Sequence, residues 1–260
     1  LEAFLLQRGW RDLIRPDYSI WEESSDGWTT FPLPVQYYAF TQIQSHHGLL
    51  CAAEIEERVY NDTGRAEALR QRAADLAASF ETLFWDEQKQ HYVQAIWDDT
   101  KTPKRTLDSS LATAAFSGIA GEERLRKHME AARATLTRLG YGLARYYQDP
   151  YFYRSKWNVG GMEAYEASPP WGVVTMFNAW AEMIVDFEGN KDLVANRIQW
   201  MVDHAAPNYM PAGEAIDGVS GDIVMTSSPD IYEYAGVYVQ TVLQFQKLVP
   251  VFSYKEWDKN

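Results

Sequence analysis

The stretch NDTGRAEALRQRAADLAASFETLF, residues 61–84, decides the fold class. Its apolar residues Leu69, Ala73, Leu76, Ala77, Phe80, Leu83 and Phe84 recur at three- and four-residue intervals, the spacing that lines one face of an α-helix. Asp62-Thr63-Gly64 ahead of them supplies a turn and a cap, so a helix is expected over about 64–84. Working outward, the same spacing predicts helices near 1–14, 36–60, 109–119, 122–139, 169–188, 191–206 and 229–248. Asp108, Ser168 and Ser228 stand where caps belong, and Pro169 and Pro229 occupy first helical positions, where a missing N–H costs nothing. Alternation of the strand type is nearly absent.

The connections carry further information. Those at about 61–63, 120–121 and 189–190 are short, whereas 15–35, 85–108, 140–168 and 207–228 are long. In consecutive antiparallel helices alternate connections lie at the same end, so the long loops are expected to project from one face. Long loops on a rigid scaffold are where function concentrates. No repeat of solenoid length is visible, which favours a closed helical toroid over stacked identical units. A single domain over 1–260 is expected.

Composition narrows the partners. The formal charge of −12 repels phosphate backbones, and no Lys/Arg cluster offsets it, so nucleic acid is not an expected partner. No run of 18 apolar residues is present, so no membrane span is expected and the chain reads as soluble. Cys51, the lone cysteine, lies in the apolar run Leu49-Leu50-Cys51-Ala52-Ala53 and is expected to be a buried small hydrophobe. The opening residues, Leu1-Glu2-Ala3-Phe4-Leu5-Leu6, have neither the basic start nor the cleavage site of a signal peptide and read as the interior of a longer protein.

Two acidic positions stand apart. Glu22-Glu23 follows Trp21 in a long loop; like-charge repulsion and an indole wall both oppose ionisation, so one of the pair is expected to hold a proton near neutral pH, as a general acid does. Glu214 lies in a second long loop, Pro211-Ala212-Gly213-Glu214-Ala215-Ile216-Asp217. Two carboxyls on separate loops are the minimum equipment for glycoside hydrolysis. Aromatic residues make up 14 % of the chain, and Trp21, Trp28, Trp85, Trp97 and Trp157 all fall in expected loops, where stacking on flat ligand faces is a reason for them that packing is not. Adjacent His46 and His47 face different sides of a helix, and neither Asp98-Asp99 nor the acids between Asp217 and Asp222 follow a calcium-loop pattern, so no metal and no cofactor is expected.

These residues, in order, resemble glycoside hydrolase family 15, the glucoamylase-like enzymes with glucodextranase and trehalase relatives. Trp21-Glu22-Glu23 resembles the general-acid motif. Arg145-Tyr146-Tyr147-Gln148-Asp149-Pro150-Tyr151 is similar to the sugar-binding loop, Pro170-Trp171 to the end of an Asn-Pro-Trp, and Glu214-Ala215-Ile216-Asp217 to the segment holding the general base. Ala215 replaces a Gln, Pro169 an Asn, and Tyr232-Glu233-Tyr234-Ala235 a Trp-Ser-His-Ala. The resemblance implies an all-α (α/α)6 toroid of twelve helices, of which the eight here are the fifth to the twelfth. Another, N-terminal segment of the same protein would then complete the barrel.

The resemblance further implies an inverting hydrolase releasing glucose from α-glucosides, with Glu22 as acid and Glu214 as base. Trp21, Glu23, Arg145, Tyr146, Asp149, Tyr151 and Trp171 would bind an oligosaccharide or α-glucan. On chemistry alone, Arg145 with Asp149 reads equally as a structural ion pair, Trp171 equally as core, and the whole chain alternatively as a non-catalytic carbohydrate-binding or scaffold protein.

Overall fold

The computed structural model describes residues 6, 8–14, 36–105, 107–137, 140–145, 170–204 and 232–251. Helix α1, Ala39–Arg58, and helix α2, Thr63–Leu83, pack as an antiparallel hairpin. The cap read from the sequence is present: Asp62 Oδ1 accepts from Arg65 N at 2.9 Å, so α2 starts and stops within a residue of expectation. Asn61 turns the chain with φ of 55°, a left-handed value that Asn tolerates because its side chain bonds locally. Helix α1 lacks a side-chain cap. Its first amide, Ala39 N, donates instead to the Gln94 carbonyl at 2.9 Å.

That bond marks a departure from the all-helical reading. Residues 36–38, expected to be helical, form strand β1, Gln36–Tyr38. The 85–108 connection holds β2, Trp85–Asp86, β3, His91–Tyr92, β4, Ala95–Trp97, and β5, Pro103–Lys104. Strand β4 lies between β1 and β5, antiparallel to both, with Gln36 opposite Trp97 and Tyr38 opposite Ala95. β2 and β3 form a separate hairpin. Trp85 and Trp97, expected in loops, therefore lie in β2 and β4. Runs of two or three residues are too short to show a period of two, so sequence alone cannot find them.

After Asp108, whose Oδ1 accepts from Ser110 N at 2.8 Å, the chain makes a 3-10 turn over Ser109–Thr113 and continues as α3, Ala114–Ser117. Gly118 ends it at φ of 72°. Helix α4 covers Glu122–Leu136, helix α5 Gly172–His204 and helix α6 Tyr232–Phe245. Helix α5 has two arms, 172–185 and 187–204, separated by extended Asp186. The break was expected at 189–190. It falls earlier because Asp186 Oδ1 accepts from Gly189 N at 3.0 Å and so caps the second arm. Gly189 is needed for that approach, since a Cβ there would sit 2.2 Å from the Asp186 carboxylate.

Residues 109–117 are buried all round and touch α1 on one side and α5 on the other. Helices α2 and α4 instead bury one stripe each: Ala66, Leu69, Ala73, Leu76 and Phe80 in α2, and Leu125, Met129, Ala132 and Leu136 in α4. This is a two-layer arrangement, an inner row covered by amphipathic outer helices. The main core joins α1, α2, residues 109–120, α4 and the first arm of α5, with Phe116 stacked on Trp180 at 4.7 Å between ring centroids.

Three further expectations need correction. Residues 8–14 carry a single 3-10 turn, Trp10–Asp12, in place of helix, because Arg11 and Asp12 adopt positive φ and Leu13 is extended. The short turns are not level: Gly121 N donates to Glu81 at 2.6 Å, near the end of α2 that leads into the 85–108 connection. At 1.5 Å per residue that is roughly 27 Å from the turn at Asn61. Cys51 is exposed, not buried. Helix α1 turns Ile43, His46, Leu49 and Ala53 inward, which leaves Cys51, Ile55 and Val59, four residues apart, on the outer side. Among the described residues no helix is long and apolar enough to cross a membrane.

Candidate active site

Two of the nine residues singled out from sequence fall within the described segments, and the fold brings them together. Arg145 forms an antiparallel bridge with Pro170, and Trp171 N donates to the Ala144 carbonyl at 3.1 Å. Both residues are buried, Arg145 at 9 % and Trp171 at 5 % exposure. Pro169 lies outside the described residues; Pro170 and Trp171, expected to be helical, join this pairing, and α5 begins at Gly172. Trp21, Glu22, Glu23, Tyr146, Asp149, Tyr151 and Glu214 lie outside the described residues, as do the caps Ser168 and Ser228 and the tryptophans Trp28 and Trp157.

The backbone at residues 144 and 145 is held on every side. Ala144 N donates to Thr175 Oγ1 at 2.9 Å, and the Ala144 carbonyl accepts from Trp171 N. Arg145 N donates to the Leu136 carbonyl at 3.2 Å, while the Arg145 carbonyl accepts from Ser109 Oγ at 2.6 Å. Asn178 then links the two inner helices: its Nδ2 donates to the Ser109 carbonyl at 3.0 Å and to the Val174 carbonyl at 2.8 Å. Ser109, Thr175 and Asn178 are all buried. Nothing in the sequence pattern marks them, because one Ser, one Thr and one Asn inside apolar helices look like ordinary interruptions. A buried polar side chain must find a partner, however, so Ser109 turned inward on the 109–113 segment, and Thr175 and Asn178 turned inward on α5, each had to be matched by another element.

Just upstream, Arg197 Nε donates to the Gly142 carbonyl at 2.8 Å from the second arm of α5. The charge of Arg197 is fully enclosed and feels the opposite charge of Glu182, 1 % exposed, which Arg133 of α4 grips at 3.3 and 2.9 Å. Burial pushes the Glu182 carboxyl up against the pull of Arg197 and Arg133, and burial brings the Arg197 guanidinium down to about 10. Asn190 completes the group by donating to the Glu182 carbonyl oxygen at 3.1 Å.

On the other side of residue 109, the β2–β3 hairpin meets α4. Tyr92 N donates to His128 Nδ1 at 3.3 Å, and Tyr92 Oη donates to Glu81 at 2.6 Å. Burial, then repulsion from His91, holds the His128 ring down to about 3 against the favourable Asp108 carbonyl, so this histidine is neutral. Asp86, nearly enclosed, accepts from Arg105 at 2.9 Å and from Gln88 N at 2.9 Å. Among the described residues no three His, Cys, Asp or Glu side chains are grouped to hold a metal. At the 144–145 junction the backbones of Arg145 and Trp171 are therefore held side by side, with both side chains buried.

Comparison with known proteins gives fold likeness without sequence likeness. No family model and no curated protein matches the sequence. Among solved structures, a neutral trehalase from Saccharomyces cerevisiae superposes with a TM-score of 0.60 at 12 % identity, over 84 % of this chain and 41 % of its own. A glucoamylase from Saccharomycopsis fibuligera superposes at 0.57 and 13 % identity, over 82 % of this chain and 56 % of its own. A sialidase gives 0.62 and 13 %, over 85 % of this chain and 20 % of its own. The chain thus spans between a fifth and a little over half of the proteins it resembles in shape. The fold is all-α, of the α/α toroid type found in the trehalase and the glucoamylase.

Proposed function

We propose that the protein is an inverting glycoside hydrolase that releases glucose from α-glucosides, in the manner of glucoamylase. Glu22 donates a proton to the glycosidic oxygen as the bond from C1 breaks. Glu214, ionised, takes a proton from the water whose oxygen joins C1 on the opposite face, so one water is consumed and the anomeric centre inverts. Glu23 stays charged and raises the affinity of Glu22 for its proton by like-charge repulsion. Arg145 forks onto vicinal hydroxyls with Asp149 behind it, while Trp21, Tyr146, Tyr151 and Trp171 wall the sugar rings.

The observation that carries this reading is the juxtaposition of Arg145 with Pro170-Trp171, two segments 25 residues apart that each resemble a motif of the same hydrolase family, within a fold that a trehalase and a glucoamylase also have. The remaining helices of the ring are assigned, in this proposal, to another segment of the same protein. The outward Cys51, Ile55 and Val59 face of α1 is one edge available to it.

The test is hydrolysis of starch, maltose, isomaltose, dextran and trehalose by the whole protein, with the product anomers followed over time. Release of β-glucose, lost by a factor of roughly 100 or more in both Glu22→Gln and Glu214→Gln with the fold intact, is the expected result. Retained activity in either variant removes that carboxylate from the mechanism, and release of the non-reducing-end glucose of starch or dextran as the α-anomer rules out inversion.

A further inference from the structure

Loops that bind ligands are usually secured at their ends by ordinary secondary structure and vary freely between them. The junction at Ala144-Arg145 is secured differently. Both amides and both carbonyls of this dipeptide have partners, and two of the four partners are side-chain hydroxyls, Thr175 Oγ1 and Ser109 Oγ, that project from two separate inner helices. Neither hydroxyl is required by the helix that carries it. Ser109 sits in the first turn of the 109–113 segment, where the Asp108 side chain already caps Ser110 N. Asn178 then ties the Ser109 carbonyl to the Val174 carbonyl on α5, so the two hydroxyl-bearing helices are fixed to one another in the same layer where they meet residues 144–145.

A backbone whose every polar group is fixed by enclosed partners transmits the position of the helices directly to the side chain it bears. We infer that Ser109, Thr175 and Asn178 are positioning residues for Arg145: through the Ala144-Arg145 backbone they set the root of the guanidinium against the neighbouring Trp171, and so set the strength of sugar binding at that point. The inference rests on the proposed role of Arg145 in holding the substrate. Thr175 Oγ1 accepts from the Ala144 amide and the Ala144 carbonyl accepts from Trp171 N, so the backbones that carry Arg145 and Trp171 are both registered through Ala144.

The test is a thermodynamic cycle in the whole protein, with equilibrium binding of sulfur-linked, hydrolysis-resistant analogues of maltose and of trehalose read by tryptophan emission beside the thermal midpoint. The variants are Arg145→Ala, Ser109→Ala and the two combined, with Asn178→Asp as a second probe that keeps the side chain's size but offers an acceptor to the Ser109 carbonyl. Ser109→Ala and Asn178→Asp are expected to weaken binding roughly ten-fold each, the worth of one well-placed hydrogen bond. In the Arg145→Ala background Ser109→Ala is expected to have no further effect on binding while its thermal midpoint still shifts, because a side chain that is gone cannot be mispositioned. Losses that simply add, or wild-type binding by Ser109→Ala and Asn178→Asp while Arg145→Ala is weakened, overturn the inference and leave the functional reading standing. Wild-type binding by Arg145→Ala, or no binding of either sugar by the unaltered protein, overturns the functional reading and the inference with it.

Discussion

Around the α1–α2 hairpin, charged side chains meet at the surface: Arg70 bonds Glu54 at 3.2 Å and also Glu57, Arg58 reaches Glu54 at 2.6 Å, and Arg65 lies 3.4 Å from Glu56. Around residues 142–145 the polar groups are the same in kind but enclosed. Arg197, Glu182, Ser109, Thr175 and Asn178 are all buried, and each has a partner on a different element. Water can replace any of the first group's bonds; it cannot reach the second. The contrast separates decoration from design, because a buried polar group persists only where its bonds offset its desolvation, whereas a surface pair persists because it costs almost nothing.

The sharpest way to break the comparison is to unpair the enclosed charge. Arg197→Ala removes the bond to Gly142 and leaves Glu182 with Arg133 alone, and the expected loss is about 3–5 kcal/mol, or on the order of 10 °C in the thermal midpoint. Replacing both partners, Arg197→Met with Glu182→Leu, is expected to be less damaging than Arg197→Ala, since no buried charge is then stranded. Equal losses in the two would show that the site is held by shape and not by charge.

A second break uses acid. The His128 ring titrates near 3 in the folded protein and at about 6.5 when unfolded, so below 6.5 the unfolded chain binds a proton that the folded one refuses. Stability supplied by this residue is whole above pH 6.5 and is lost as pH falls toward 3. At 1.36 kcal/mol per unit the loss reaches about 3 kcal/mol by pH 4. His91, also held below its ordinary value by burial, adds a loss of the same sign. His128→Gln, which keeps an acceptor for Tyr92 N, is expected to flatten thermal midpoint against pH between 6.5 and 4. An unchanged slope would show that His128 is protonated at little cost in the folded state.

The same contrast explains what could be read in the sequence. Helix α2 and its cap were legible to within a residue because its signal is local: Asp62 and a period of three and four in a solvent-facing helix. Legibility failed where partners are distant in sequence. Residues 36–38 became a strand because Ala95–Trp97, nearly sixty residues away, offered an edge. Ser109, Thr175 and Asn178 went unnoticed because their roles exist only once the 109–113 turn and α5 lie side by side. Arg145 and Trp171 were found from motif resemblance, and their adjacency, unlike their identity, came from the fold. The buried helical row also explains Cys51, since a uniformly apolar run does not say which side of α1 faces in.

The smallest expected effect sharpens the comparison from its other side. Arg70 is 35 % exposed and holds two acids of α1, Glu57 at 42 % and Glu54 at 17 % exposure, so much of its charge attraction is screened and its long side chain gives up rotamer freedom to keep the contact. Arg70→Ala is expected to cost under about 1 kcal/mol, and that cost should shrink further in 1 M salt, where the screening length falls to about 3 Å. Arg197→Ala, by contrast, should be nearly indifferent to salt, because ions cannot enter its surroundings. Denaturant midpoints of both variants at low and high salt measure this directly. A strongly destabilising Arg70→Ala, or a salt-sensitive Arg197→Ala, would mean that the line between solvated and enclosed polar groups has been drawn in the wrong place.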